Sequence, residues 1–383
     1  MKRLVQSTAI VLIVAACAAP ANTPIPIVSQ PPNATTQPTP TLSPASPNPT
    51  APASATPTSA PSLGGEVTLV THDSFAASDS VIANFEAQTG LKLNVLKGGD
   101  AGAMVNQAIL TKDNPLGDAL YGVDNTFLSR ALDAGIFVPY VSPAASELGS
   151  QFKLDTQNRV TPIDFGDVCV VYDIQTTASL PASINELTMP AYKGKLVVEN
   201  PATSSPGLAF MLATIVRFGE SGSYTWLDYW RDLRANDVFV ANDWDDAYYT
   251  EFSAGGGGGK YPFVVSYATD PAADVVFSGD ESATPSVQKL DDGCFRQIEF
   301  AGVLAGAKNP AGAQAWIDFM ASPEFQSDIP LNMFVFPANL SAPVPEVFAQ
   351  YAAQATDPLT MDPATIAANR DRWIQQWTDT VLH

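Results

Sequence analysis

The chain has 383 residues, with 39 Asp and Glu against 19 Lys and Arg, and a formal net charge of −20. That balance excludes nucleic acid and anionic lipid surfaces as partners recognised by charge. Its histidines are His72 and the terminal His383, and no H-E-x-x-H, zinc-spaced cysteine pair or G-x-S-x-G occurs, so metal and triad chemistry lack their residues.

Lys2 and Arg3 precede a short apolar stretch, Leu4 to Ala16. It falls short of the roughly 20 residues that a spanning helix needs, and reads as a signal peptide over 1–16. Val-Ala-Ala-Cys then ends at Cys17, a pattern that resembles a bacterial lipobox and marks Cys17 for lipidation. Residues 18–62 carry no charge and are dominated by Pro, Thr, Ser and Ala. Such a chain buries too little apolar area to fold, so 17–62 is expected to be a disordered tether. At about 3.1 Å per residue it would reach on the order of 100 Å from a membrane. Without Lys2 and Arg3 the chain carries −22.

From residue 63 onward the composition is globular, and a chain of that length is expected to split into two lobes. "EVTLVT" (66–71) predicts a strand, and Val81, Ile82, Phe85 and Ala87 in 80–90 predict a helix closed by Gly90. A strand over 91–96, a helix over 102–112 and a strand over 117–123 follow. The next helix, 124–135, is expected to start on a capping Asp124 and to stop at Gly135. Further strands are predicted over 167–173, 195–200, 237–242 and 262–268, with helices over 206–218, 222–234 and 243–253 between them. Late helices fall at 311–321 and 363–382. Strands alternating with helices imply an α/β fold with largely parallel sheets.

"AGGGGGKY" (254–261) suggests a phosphate loop and fails its test. The first glycine position is Ala254, the hydroxyl position is Tyr261, and a helix precedes the loop where a strand should. It is expected to be a flexible turn. "NPATSSPGLAF" (200–210) sets Ser204, Ser205 and Pro206 at a helix start, which serves either as plain capping or as an anion site. "DWDDAYY" places Trp244 among acids, and "SYATDPAAD" places Tyr267 at a strand end ahead of Asp270. Aromatic faces beside carboxylates suit a flat cation. Cys169 and Cys294 either pair, as exported cysteines do, or stay as buried thiols.

"THDSFA", "GVDNTFL", "TSSPGL", "NDWDDAY", "VVSYATDPA", "ASPEFQSDIP" and "VFPAN" occur in that order, with "RDRWIQQW" near the end. As an ordered set over nearly all of 66–383 they resemble the thiamine-binding periplasmic proteins, the receptors of thiamine ABC importers. The resemblance implies a two-lobed type II periplasmic binding protein, related to ferric-iron receptors, with its ligand cleft between the lobes. Lobe one would take 66–163 and 297–325, and lobe two 164–296 and 326–383. It further implies no catalysis, no cofactor and no metal, a monomer, and an ABC permease as partner. The location would be extracytoplasmic, lipid-anchored to the outer face of the cytoplasmic membrane.

The family's ligand residues map onto His72 (replacing an aromatic) beside Asp73 and Ser74, Asp100 in "GGDAG", Ser204 with its neighbour Ser205, Trp244, Tyr267 and Phe334. Ala273 stands where the family has a second tyrosine, and no tryptophan lies near Ser78. For thiamine, or its phosphate ester, Trp244, Tyr267 and Phe334 would offer π faces and Asp100 or Asp124 would accept from the exocyclic amine. Ser204 and its helix end would meet the hydroxyethyl group or the ester. Two rivals remain: a ferric-iron receptor using Tyr248 and Tyr249, and an exported enzyme acting on a thiamine-like pyrimidine with a cysteine nucleophile.

Overall fold

The computed structural model describes residues 63–280 and 282–383, so the signal peptide, Cys17 and the tether lie outside the described residues. The first units alternate as the periodicity predicts: β1 (Glu66–Thr71), α1 (Asp79–Thr89), β2 (Lys92–Lys97), α2 (Ala101–Leu110), β3 (Ala119–Asp124) and α3 (Leu128–Ala134). Local chemistry explains the ends of α1. The Ser78 hydroxyl accepts from the Val81 N–H, and Gly90 closes the helix in the left-handed region at φ 73°. Asp124 departs from expectation. It ends β3, and its carboxylate accepts from the Thr126 hydroxyl and the Phe127 N–H, which closes a turn ahead of α3.

The chain continues through β4 (Phe137–Val138), a 13-residue β5 (Thr161–Asp173), β6 (Leu196–Glu199), α4 (Ser205–Phe218), α5 (Trp226–Ala235) and β7 (Phe239–Ala241). A π-helical turn spans Asp246–Glu251 where an ordinary helix over 243–253 was expected. Then come β8 (Phe263–Tyr267), α6 (Asp270–Ser278), β9 (Val287–Lys289), β10 (Phe295–Leu304), α7 (Pro310–Met320) and α8 (Pro323–Asn332). β11 (Phe336–Pro337), α9 (Glu346–Tyr351) and α10 (Pro363–Val381) complete it.

The main sheet runs β2-β1-β3-β10-β5-β8-β6-β7. Both ends are parallel, as expected: β1 with β2 and β3, and β6 with β7 and β8. The middle corrects the expectation of a largely parallel sheet, because β10 runs antiparallel to β3 and β5, and β5 antiparallel to β8. The chain crosses the molecule along β5 and returns along β10, so two neighbouring crossings necessarily oppose each other. Two α/β halves are thus joined by two long strands in the two-lobed type II binding-protein arrangement.

β10 was missed in the sequence because Gln297 and Glu299 interrupt its apolar run, although both side chains are buried. α6 was missed because "TDPAAD" looks like a loop, yet a proline in the first helical turn is a start signal.

Helices cover the sheet with large buried aromatics. Phe85 meets Trp316 edge-on at 4.8 Å, and both share a core with Val67, Leu69, Phe325, Ile329 and Val335. A lobe boundary between 325 and 326 would cut α8, whose Phe325 and Ile329 both belong to that core. α10 packs on α5 and α3, and Trp377 meets Trp230 at 5.4 Å. Each such fully buried side chain contributes about 1.5–3 kcal/mol or more.

Cys169 on β5 and Cys294, just ahead of β10, form a disulfide across 125 residues of chain. The pairing removes both candidate cysteine nucleophiles. Closing so long a loop restricts the unfolded chain, so reduction is expected to cost about 2–4 kcal/mol. Chemical denaturation with and without reductant measures this, and coincident curves would show that the bond adds nothing.

Candidate functional site

A cavity of about 350 Å³ opens where the carboxyl ends of β1, β2 and β8 meet the starts of α2, α4 and α6. This is where an open α/β sheet places its ligand. Of the residues expected at the site, His72, Asp73, Ser74, Asp100, Ser205, Trp244, Tyr267, Asp270 and Phe334 line it. Ser204 and Asp124 do not. Ser204 is fully buried and caps α4 by accepting from the Gly207 N–H, while Asp124 is spent on its turn.

Asp100 organises the entrance. It caps α2, and its Oδ1 accepts from the N–H groups of Ala101 (2.6 Å) and Ser205 (3.4 Å). Its Oδ2 accepts from the Trp244 N–H at 3.1 Å. The start of α4, a place for an anion, is therefore held by the protein's own carboxylate. Burial pushes the Asp100 carboxyl up to about 6, against the hydrogen bonds that favour its charge.

His72 follows β1 and lies against β3 because residue 122 is glycine. Gly122 has φ 98°, and a Cβ there would overlap the imidazole. Burial, reinforced by Lys97, lowers the His72 pKa to about 4, so the ring is neutral at pH 7. Its Nε2 lies 3.5 Å from Glu299 Oε1 and has no hydrogen-bond partner. Lys97 donates to the carbonyls of Asp73 and Phe75, which fixes the loop after β1. Asp73 accepts from the Gly99 N–H, and the Ser74 hydroxyl donates to Asp245 at 3.1 Å.

The opposite wall is aromatic. Trp244 donates from its indole N–H to Ser266 at 3.0 Å, lies parallel to Tyr248 at 5.1 Å, and meets Tyr249 and Tyr267 edge-on. The π-helical turn presents Tyr248 and Tyr249 together, and both line the cavity. The glycine run (255–259) is no slack turn. Cβ atoms at Gly255, Gly257 and Gly259 would overlap the carbonyl oxygens of Tyr248, Tyr249 and Glu251, so the loop is pressed backbone to backbone against that turn. Gly256 and Gly258, between them, have φ 87° and 77°.

Ala273 leaves room on α6, and Phe277, one turn further, packs on Phe334 at 5.0 Å. Phe277 is 69% exposed and went unnoticed in the sequence because α6 itself was missed. Glu299 was missed with β10. Asp270 is buried, with Oδ2 unpartnered, and burial raises its carboxyl to about 7. Among the described residues no group of three or more His, Cys, Asp or Glu side chains is placed to hold a metal, and no helix is long and apolar enough to cross a membrane.

This arrangement, a small-molecule cleft between two α/β halves, is the form of a solute receptor. Residues 114–359 match the family model of bacterial extracellular solute-binding proteins, and the chain belongs to that family. Within it, the chain is similar to the thiamine-binding periplasmic proteins of Salmonella typhimurium and Escherichia coli, at 29% identity over 82% of this chain and 93% of each relative. A solved periplasmic thiamin binding protein superposes with a TM-score of 0.73 at 26% identity, covering 82% of this chain and 96% of that one. Iron-bound HitA from Pseudomonas aeruginosa shares the fold, with a TM-score of 0.67 at 18% identity over 82% of this chain and 99% of its own.

Asp100, Asp270 and Glu199, whose carboxyl burial lifts well above its ordinary range, bind protons more tightly folded than unfolded. They favour the folded state at acid pH, and that contribution is lost as pH rises through about 6 for Asp100 and about 7 for Asp270. The thermal midpoint of the ligand-free protein is therefore expected to fall across that window, and Asp270→Asn to flatten the upper part. A midpoint that rises there would contradict the assignment.

Proposed function

We propose that this protein captures thiamine in the interlobe cleft and hands it to the permease of an ABC importer. The observation that carries the reading is the pairing of an aromatic wall, Trp244 with Tyr248, Tyr249 and Tyr267, with acids at Asp100, Asp270 and Glu299. Flat aromatic surface suits the aminopyrimidine, and the acids suit its amine and the fixed positive charge of the thiazolium. The cavity volume of about 350 Å³ falls in the range of small-molecule sites. The relatives' names agree with this solute. Asp100 at the start of α4 and the engaged Lys97 favour free thiamine over its phosphate ester.

In this reading lobe one comprises 66–163 and 297–325 extended through α8, lobe two the remaining stretches, and β5 and β10 form the crossing between them. A signal peptide over 1–16, a lipid on Cys17 and a tether through residue 62 would hold the receptor outside the cytoplasmic membrane. It would work there as a monomer, without cofactor or metal.

A ferric site on Tyr248 and Tyr249 is the second reading, favoured only by their adjacency in the wall. Both phenols are raised by burial and nearby carboxylates, which opposes the tyrosinate form that ferric iron needs. A visible tyrosinate absorbance after adding ferric iron would support it.

Titration calorimetry with thiamine and thiamine monophosphate tests the leading reading. Saturable binding of thiamine, tighter than of the ester, is expected, and heat from neither would refute it. Trp244→Ala removes the central face of the wall and is expected to weaken binding about tenfold or more. His72→Ala, which removes a neutral ring seated against β3, should cost less. Equal or reversed losses would show that the wall is misassigned.

A further inference from the structure

We propose that Glu299 is the carboxylate that meets the positive charge of the bound solute, and that it releases a proton to solvent as the cation arrives. This rests on the thiamine reading through the fixed charge of the thiazolium.

Glu299 projects from β10 into the cavity and is 6% exposed. Its Oε2 lies 3.2 Å from the Tyr121 hydroxyl, which also bonds to Asp164 Oδ2. One phenol carries one proton and donates it to one oxygen at a time. Both carboxyls are buried and reach that one hydroxyl, so at most one of them can take its proton at a time. Two like charges this close and this buried do not both ionise readily, which leaves the pair holding a proton beyond that of Tyr121.

The surroundings supply no opposing charge. From the end of β1 comes neutral His72, from β3 come Tyr121 and Asp124, and from β5 comes Asp164. Tyr267 of β8 spends its hydroxyl on Gln297. Lys97, the one basic side chain on the cavity wall among the described residues, donates to main-chain carbonyls. Burial, then Asp164 and Asp124, raise the Glu299 carboxyl well above its ordinary range.

Two further groups point to a ligand here. His72 Nε2 and Asp270 Oδ2 belong to cavity-lining side chains more than nine-tenths buried, and neither atom has a hydrogen-bond partner. A cation seated among them supplies the missing charge. It favours the ionised form of Glu299, and the proton of the neutral carboxyl leaves to water, so protonated receptor plus cation gives complex plus one proton.

Calorimetry of the full chain with thiamine, in two buffers of different ionisation enthalpy, counts that proton. About one proton released per thiamine is expected, with affinity rising about tenfold per pH unit until Glu299 ionises in the free protein. Glu299→Gln should bind about tenfold more weakly and release none. Its thermal midpoint should be retained, because glutamine fills the same space without a buried acid. By contrast, 4-amino-5-hydroxymethyl-2-methylpyrimidine, which lacks the thiazolium, should cause none. In infrared difference spectra a protonated-carboxyl band should vanish on adding thiamine and be missing from Glu299→Gln.

Thiamine binding with no proton release, or release that survives undiminished in Glu299→Gln, would each overturn the assignment of Glu299 while leaving the solute intact. Failure of thiamine to bind at all would overturn the solute reading and this proposal together.

Discussion

Asp100 ties together three segments that are far apart in the chain. Its two oxygens accept main-chain N–H groups at the start of α2, at the start of α4 and at Trp244. A carboxylate taken out of water is costly unless its oxygens are satisfied, and charge-assisted bonds to backbone donors do this well. Two of those donors begin helices, where the backbone dipoles favour negative charge. One side chain thus fixes the distance between the two halves on one side of the cleft and the direction in which the Trp244 segment leaves β7. The aromatic wall, the acid floor and the cavity between them take their spacing from this contact and from the paired crossings of β5 and β10.

The cavity is built from opposed electrostatic tendencies. Burial alone drives Asp100, Asp164, Asp270 and Glu299 toward the neutral form, and the charge of Asp164 beside Glu299 and of Asp274 beside Asp270 adds to this. A positive charge entering the cavity shifts Glu299, which lines it, toward the ionised form. The paired Arg296 and Asp167 behave differently: they sit close by on β10 and β5 and satisfy each other at 2.6 Å. Paired charge holds the frame, and unpaired acid faces the cavity.

Much of this was legible in the sequence wherever a residue's role is local. Ser78 and Gly90 announce the ends of α1, and the β-branched runs of β1 and β6 announce parallel strands buried on both faces. Trp244, Tyr267 and Asp270 were legible because aromatic faces beside carboxylates suit a flat cation, and the family resemblance maps the two aromatics to the ligand. What escaped depends on partners distant in the chain. Glu299 looks like an interruption of a strand until Tyr121 and Asp164 are placed beside it. Asp124 has the composition of a helix cap, but Thr126 and Phe127 claim it first. Ser204 and Ser205 are adjacent in sequence, yet the first is buried as a cap and only the second faces the cavity.

The five glycines show a different economy. Their alternate members have no room for a side chain because the carbonyls beneath Tyr248, Tyr249 and Glu251 occupy it. The two between have the left-handed backbone that glycine adopts without strain. The run acts as a splint, a strip of bare main chain laid along the turn that displays the two tyrosines. The aromatic surface is therefore set by a segment that contributes no side chain to it. Receptors reshaped for other flat solutes should change the tyrosines and leave the splint alone.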